Sequence, residues 1–225
     1  MTTFHIVTIF PETFSSYLNE GVLGRAINKK KIVKIKFYNP RDYTKDKHKR
    51  ARPDGRPFGR VDSIPYGGGP GMVMLVSPIL KAWQKAKGQK KDVKTIILSP
   101  GGKEFTNRYA KKLSEEFNHI ILIAGRYEGI DARVKKITKA EEISIGNYVL
   151  TGGELPAMVM IDTISRQIEG VLGDYNSLEE NRISSGEVYT KPREIRYKGK
   201  SYKVPEVLTS GHHAKIDKWK TRKKL

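Results

Sequence analysis

Along this chain, short unbroken apolar runs alternate with helix-period stripes, and Gly-, Pro- and Lys-rich stretches join them. The clearest run is Ile120, Ile121, Leu122, Ile123 and Ala124, the pattern of a strand buried on both faces. It ends at Gly125. Ile130, Val134 and Ile137 follow at i, i+4 and i+7, which predicts a short amphipathic helix. A second strand is predicted over residues 143–150, ending in Thr151-Gly152-Gly153. Pro156 then sits where a first helical turn tolerates it, and Leu155, Met158, Val159, Ile161, Ile164 and Ile168 predict a mostly buried helix.

Elsewhere the pattern is of the same kind. Residues 5–10 read as a first buried strand and Pro11-Glu12-Thr13-Phe14 as the opening of a helix. Val33, Ile35 and Phe37 alternate with Lys34 and Lys36, predicting a half-exposed strand. Residues 39–71 lose all periodicity, which marks a functional or mobile segment. Its tail, Pro65-Tyr66-Gly67-Gly68-Gly69-Pro70-Gly71-Met72, reads equally as a loop shaped for close backbone contact and as a flexible hinge. Ser77-Pro78 starts a helix running to residue 87. Residues 93–98 predict a strand ending in a third small-residue loop, Ser99-Pro100-Gly101-Gly102, and the next helix carries Tyr109, Leu113 and Phe117 on one face. Strand–helix alternation through residue 168 predicts an α/β domain with a parallel sheet over residues 1–168. Residues 169–190 read as a linker, and 191–225 as a small basic unit with Ser210 capping a helix that carries Ile216 and Trp219.

Composition narrows the field. The chain has 225 residues and no cysteine, which excludes disulfides, thiol nucleophiles and cysteine metal sites and fits a reducing compartment. No basic-then-apolar leader is visible, and the apolar runs fall far short of the roughly 18 residues that span a bilayer. A soluble cytoplasmic protein with no membrane contact is expected. The net charge of +19 sits in two blocks, +10 over residues 29–60 and +9 over residues 191–225. Concentrated positive charge points to a nucleic acid, and more weakly to a membrane, since neither block shows an apolar helical face. His212-His213 has no second ligand cluster nearby, so no metal site is expected.

Candidate chemistry gathers at one sheet edge. Glycine-bearing turns end the predicted strands, and ligands bind at the C-terminal ends of strands in open parallel sheets. Neither GxGxxG nor GxxxxGK[ST] is present. The lining is instead backbone, Tyr127, Glu128 and the run Ile145-Gly146-Asn147-Tyr148-Val149-Leu150, which suits a neutral heterocycle such as adenine, with Glu128 able to receive a cationic centre.

GRYEGIDARV, SIGNYVLTGGELPAM, SRQIEGVLG and PYGGGPGM resemble the bacterial tRNA (guanine-N1)-methyltransferases of the TrmD family, in the SPOUT class, over most of the chain from Phe10 to about Trp219. The resemblance implies a SPOUT-type parallel sheet with a deep trefoil knot, plus a small, mainly helical C-terminal domain shorter than in the family. General topology rules disfavour a knot, so it rests on the resemblance alone. The implied reaction moves a methyl group from S-adenosyl-L-methionine to N1 of the guanine at tRNA position 37, 3′ of the anticodon. A homodimer sharing its active site between subunits and a dependence on Mg2+ are implied too, with no ligand set for the ion readable. The resemblance assigns Leu98, Ser99, Pro100, Gly125, Tyr127, Glu128, Ser144, Ile145, Gly146, Asn147, Tyr148, Val149, Leu150, Gly152, Gly153 and Pro156 to the methyl donor. Arg166 matches the family arginine that steadies charge on the guanine, and Asp62 an acidic residue preceding PYGGGPGM.

Two departures stand out. Asn181 occupies the position of the family's general-base aspartate, and an amide cannot take a proton there. Either Glu180 or Glu179 supplies the base or methylation is slow; the rival readings are a catalytically weak RNA-binding protein that keeps the pocket and another SPOUT RNA methyltransferase. The second departure is a basic loop enlarged around residues 51–60.

Overall fold

The computed structural model describes residues 1–44, 50–51, 57–173 and 187–222. They fall into two compact units, Met1–Leu172 and Gly173–Leu225. The strands of the first are β1 (Thr2–Val7), β2 (Val33–Tyr38), the short β3 (Asp62–Ser63) and β4 (Val73–Met74), β5 (Val93–Glu104), β6 (His119–Ala124) and β7 (Glu141–Ser144). Its principal helices are α1 (Val76–Lys87), α2 (Asn107–Glu116), α3 (Arg133–Thr138) and α4 (Glu154–Ser165). Five strands form one sheet in the order β2-β1-β6-β5-β7, and every neighbouring pair is parallel. β3 and β4 pair antiparallel outside it, as do Arg50–Ala51 and Pro57–Phe58.

Central parallel strands need apolar residues on both faces. All six residues of β1 are buried, and in β6 every residue from Ile120 to Ala124 is. On one face Phe4, Ile6, Ile96, Ile120, Leu122 and Ile143 pack against Leu113 of α2 and Ala157, Met160, Ile161 and Ile164 of α4. On the other, Val7, Ile97, Ile121 and Ile123 meet Ile79, Ala82 and Trp83 of α1 and Val134 of α3. Each fully buried Ile or Leu adds roughly 1.5–3 kcal/mol of transfer free energy. A local signal starts α2. Thr106 Oγ1 accepts the Tyr109 N–H at 3.2 Å and so caps α2.

Several elements differ from their sequence-based outlines. β1 lies three residues earlier than predicted, because Thr8 Oγ1 accepts the Phe10 N–H at 3.0 Å and turns the chain. β7 stops at Ser144 instead of continuing to residue 150. The Ser144 hydroxyl donates to the Gly146 carbonyl at 2.8 Å and accepts its N–H at 3.3 Å, which closes a turn. β5 runs beyond residue 98 to Glu104. Leu98 and Lys103 both pair with Ile143, so the small-residue segment between them is a bulge inside the strand. α4 is buried on one face only, with Leu155 57 % and Val159 44 % exposed. Ile137 of α3 is likewise exposed, because this short helix turns only Val134 and Thr138 to the core.

Among its described residues the second unit adds a hairpin to the expected helix. β8 (Glu194–Tyr197) and β9 (Lys200–Lys203) pair antiparallel around Lys198 and Gly199, both with φ in the left-handed region (49° and 75°), as a tight hairpin turn requires. A single 3-10 turn, Glu206–Thr209, leads to α5 (His213–Arg222), and the Ser210 hydroxyl accepts the His212 N–H at 3.3 Å just ahead of it.

One buried polar cluster lies within the sheet. His5 Nδ1 is 3.0 Å from Tyr38 Oη, and His5 Nε2 is 3.3 Å from His119 Nδ1. Burial first, then the positive charges of Lys90, His119 and Lys36, bring the His5 pKa down to about 4. Below pH ~6.5 the unfolded chain gains a proton at His5 that the folded chain refuses until about pH 4, so this stability is present near neutrality and lost on acidification. The loss amounts to at most about 2 kcal/mol at pH 5. In His5→Gln, the unfolding midpoint followed by circular dichroism is expected to fall less steeply between pH 7 and pH 5 than in the parent. Parallel slopes would remove His5 from the account.

Candidate functional site

Turns at the C-terminal edge of the sheet converge on one cavity of about 430 Å³. Small-molecule sites occupy roughly 300–1,000 Å³. The β5 bulge brings Leu98, Ser99 and Pro100; the loop after β6 brings Gly125, Tyr127 and Glu128. The stretch after β7 brings Ser144, Ile145, Gly146, Tyr148, Val149, Leu150, Gly152 and Gly153, and the first turn of α4 brings Pro156. Asn147 is not on the wall.

The walls are held by main-chain contacts. Gly153 N–H donates to the Gly125 carbonyl at 2.8 Å. A Cβ on residue 153 would stand 2.7 Å from Ala124 Cα and 2.9 Å from Gly125 N, so only glycine lets the chain return this closely to the end of β6. Tyr127 has φ 60°, a left-handed conformation that costs about 1–3 kcal/mol outside glycine and clusters at ligand sites. The Gly129 N–H, bonded to the Arg126 carbonyl at 3.2 Å, closes the turn that holds it. The glycine-rich tail ending at Met72 leads into a strand docked alongside. Glu128 N–H donates to Met72 O and Met74 N–H to Gly129 O, each at 2.9 Å, and Asp131 N–H donates to Met74 O at 3.1 Å. A Cβ at Gly71 would lie 2.5 Å from Glu128 Oε1. That end of the loop is therefore shaped for close contact.

Charged groups on the wall are mostly engaged. Asp131 pairs with Arg133 at 2.7 Å, and that hydrogen bond holds its carboxyl below the usual range. Lys135 pairs with Glu142 at 2.6 Å, and Arg126 with Glu154 at 2.8 Å. Among the described residues Glu128 makes no ion pair, so its carboxylate is the one open to a cationic ligand group. Sequence reasoning passed over Arg126, Asp131, Lys135, Glu142 and Thr151, all of which line the cavity. Arg126 and Asp131 lay within GRYEGIDARV and Thr151 in the turn ahead of Gly152, whereas Lys135 and Glu142 had no such signal.

Of the residues expected to do chemistry, the described ones, Arg166 and Asp62, do not line this cavity. Arg166, at the C-terminal end of α4, lines a separate cavity of about 320 Å³ with Tyr17, Glu20, Asp162 and Leu172. There the Tyr17 hydroxyl donates a hydrogen bond to Asp162, which raises the Tyr17 pKa. Ten residues of helix part Arg166 from Pro156, about 15 Å along the axis. Asp62 sits on β3, paired with Met74, and is not on the cavity wall. Asn181, Glu180 and Glu179 lie outside the described residues. Among the described residues, no group of three or more His, Asp or Glu could hold a metal ion, and no helix is long and apolar enough to cross a membrane.

Comparison with known proteins gives one consistent result. The family model described as "tRNA (Guanine-1)-methyltransferase TrmD" matches residues 2–225. A tRNA (guanine-N(1)-)-methyltransferase of Pseudoalteromonas atlantica is 46 % identical over 227 residues, covering 99 % of this chain and 80 % of the relative. Proteins of the same name from Ruminiclostridium cellulolyticum and Buchnera aphidicola are 45 % and 46 % identical. In each case 99 % of this chain is covered, with 91 % and 89 % of the relative.

The return at Gly153 can be tested directly. Gly153→Ala is expected to lower unfolding free energy by about 1–3 kcal/mol in chemical denaturation, through overpacking against backbone that cannot yield. Gly101→Ala, where a Cβ meets nothing within 4 Å, serves as the near-neutral control.

Proposed function

The chain belongs to the tRNA (guanine-1)-methyltransferase TrmD family, and on that premise we propose how its residues divide the labour of the reaction. The activity is that of an S-adenosylmethionine-dependent tRNA (guanine-N1)-methyltransferase. The target is the guanine at position 37, just 3′ of the anticodon.

The carrying observation is the convergence of three turns on one cavity at the sheet edge. Its size suits a nucleoside, main-chain groups beside Ile145, Val149 and Leu150 suit adenine, and Glu128 suits a sulfonium. When bound, S-adenosylmethionine supplies an electrophilic methyl group. The chain's own residues must align the donor, accept the guanine N1 proton and steady the charge that moves onto the guanine carbonyl oxygen. Alignment belongs to the cavity wall. Glu180, or its neighbour Glu179, takes the proton in place of the amide at Asn181, and the Arg166 cation steadies the oxygen. Asp62 completes the group from the β3 ribbon that docks on the donor loop.

Arg166 reaches the reaction through a second copy of the chain. The outer face of α4 carries exposed Leu155 and Val159. Antiparallel pairing of two α4 helices about a two-fold axis covers that apolar face and brings each Arg166 toward the partner's cavity. The return of the chain from β7 across β5 to Gly125 supports the reading that α4 is threaded through the loop after β6 as a trefoil knot. Residues 191–225, with net charge +9, and the basic block at 29–60 hold the tRNA backbone in the cytoplasm, with 169–190 as linker between the 1–168 domain and the tail. The Mg2+ requirement is assigned to no residues.

Mass mapping of tRNA incubated with protein and S-adenosylmethionine is expected to locate one methyl group on the guanine at position 37. Glu180→Gln is expected to slow methyl transfer by about 10²- to 10⁴-fold. A silent Glu180→Gln with a strongly accelerated Asn181→Asp would remove the substitute-base assignment. For assembly, Val159→Glu is expected to give a monomer by analytical ultracentrifugation that is inactive on tRNA. An active monomer would overturn the shared site.

A further inference from the structure

We propose that Glu154 and Thr8 are positioning residues for the methyl-donor pocket, acting through Arg126. The proposal rests on the reading of the main cavity as the donor site. Glu154 is the first residue of α4 and only 3 % exposed. Its Oε1 accepts the Thr8 hydroxyl and its Oε2 accepts Arg126 Nε–H, both at 2.8 Å. Thr8, fully buried, follows the last residue of β1, and its hydroxyl also accepts the Phe10 N–H at 3.0 Å. One carboxylate thus ties together the end of β1, the loop after β6 and the turn before α4. The last two of these carry cavity wall.

Arg126 is a brace rather than a free cation. Besides the carboxylate, its Nη1 donates to the Thr151 carbonyl at 3.3 Å, and its guanidinium lies 4.7 Å from the Phe10 ring centroid. Gly152 makes room for it, since a Cβ there would come within 2.3 Å of Arg126 Nε. The guanidinium therefore fastens the loop after β6 to the Thr151-Gly152 turn. Stability alone is a weak reason to bury such a pair, because desolvating both charges offsets most of their attraction. What a buried pair with fixed donors does supply is orientation. Glu154 also stands in the first turn of α4, where the helix dipole favours its negative charge.

The test is calorimetric titration of the full chain with S-adenosylmethionine, well below the unfolding temperature, for the parent, Glu154→Gln, Thr8→Val and Thr8→Ser. Displaced walls are expected to weaken binding about tenfold or more in Glu154→Gln and Thr8→Val, whereas Thr8→Ser, which keeps the hydroxyl, stays near the parent. A lowered unfolding midpoint with unchanged affinity in the folded variants would mean a purely structural role and overturn the proposal. Should Glu154→Gln fail to fold, the Thr8→Val and Thr8→Ser pair decides the matter alone. A parent protein that binds no S-adenosylmethionine would instead overturn the reading of the cavity, and the proposal with it.

Discussion

One close backbone approach governs this structure, the return of Gly153 onto the end of β6, sealed by its N–H on the Gly125 carbonyl. β7 is one of the sheet's two edge strands, with β5 between it and β6. A chain leaving β7 must cross back over β5 before α4 can pack on the sheet. The crossing leaves residues 144–153 draped over the C-terminal ends of three strands, where they enclose the cavity. It also delivers Glu154 to Thr8, a contact between residues 146 positions apart. Remove the approach, and the pocket loses a wall and the helix its anchor together.

How much of this could be read from the residues divides along physical lines. Burial leaves a periodic trace, so the apolar run at 120–124, Ile161 and Ile164 of α4, and the alternation in β2 are legible, although in α4 Ala157 and Met160 face the core where the pattern predicts Leu155 and Val159. Turn chemistry leaves one too, which is why the glycines at 125, 152 and 153 pointed to one sheet edge. Hydrogen bonds from a side chain to its own neighbouring backbone leave almost none. Ser144 ends β7 and Thr8 ends β1 by that means, in apolar surroundings that would otherwise continue a strand. The bulge in β5 arises from pairing with Ile143 and has no local signature beyond its small residues. Long-range ion pairs such as Arg126 with Glu154 are invisible to any reading by segment. The β8–β9 hairpin was missed because Lys198-Gly199 is a modest turn signal inside a lysine-rich run.

α4 has an apolar stripe on each of two sides. Its inner stripe completes the core over the sheet, while Leu155 and Val159 keep an outer apolar edge that a solitary chain leaves in water. An exposed apolar edge on a helix that ends at Arg166 gains a purpose in the proposed dimer. There the hydrophobic contact and the delivery of a cation to the other copy become one event. Charge is handled separately, since the two basic blocks lie apart in sequence from the turns around the main cavity.

Walls made of main chain carry a consequence for selection. A side chain that contacts a ligand can be exchanged by a single codon change, but an amide or carbonyl at Gly125, Gly146 or Gly153 survives nearly every such change or fails together with the fold. Those groups already hold one another, Gly153 N–H on the Gly125 carbonyl and Gly146 on Ser144, so an inhibitor shaped to the turns they fix would leave few routes of escape. Resistance would have to arise at the rim, around Tyr127, Tyr148 or Val149, where side chains stand in solvent and substitution is cheap.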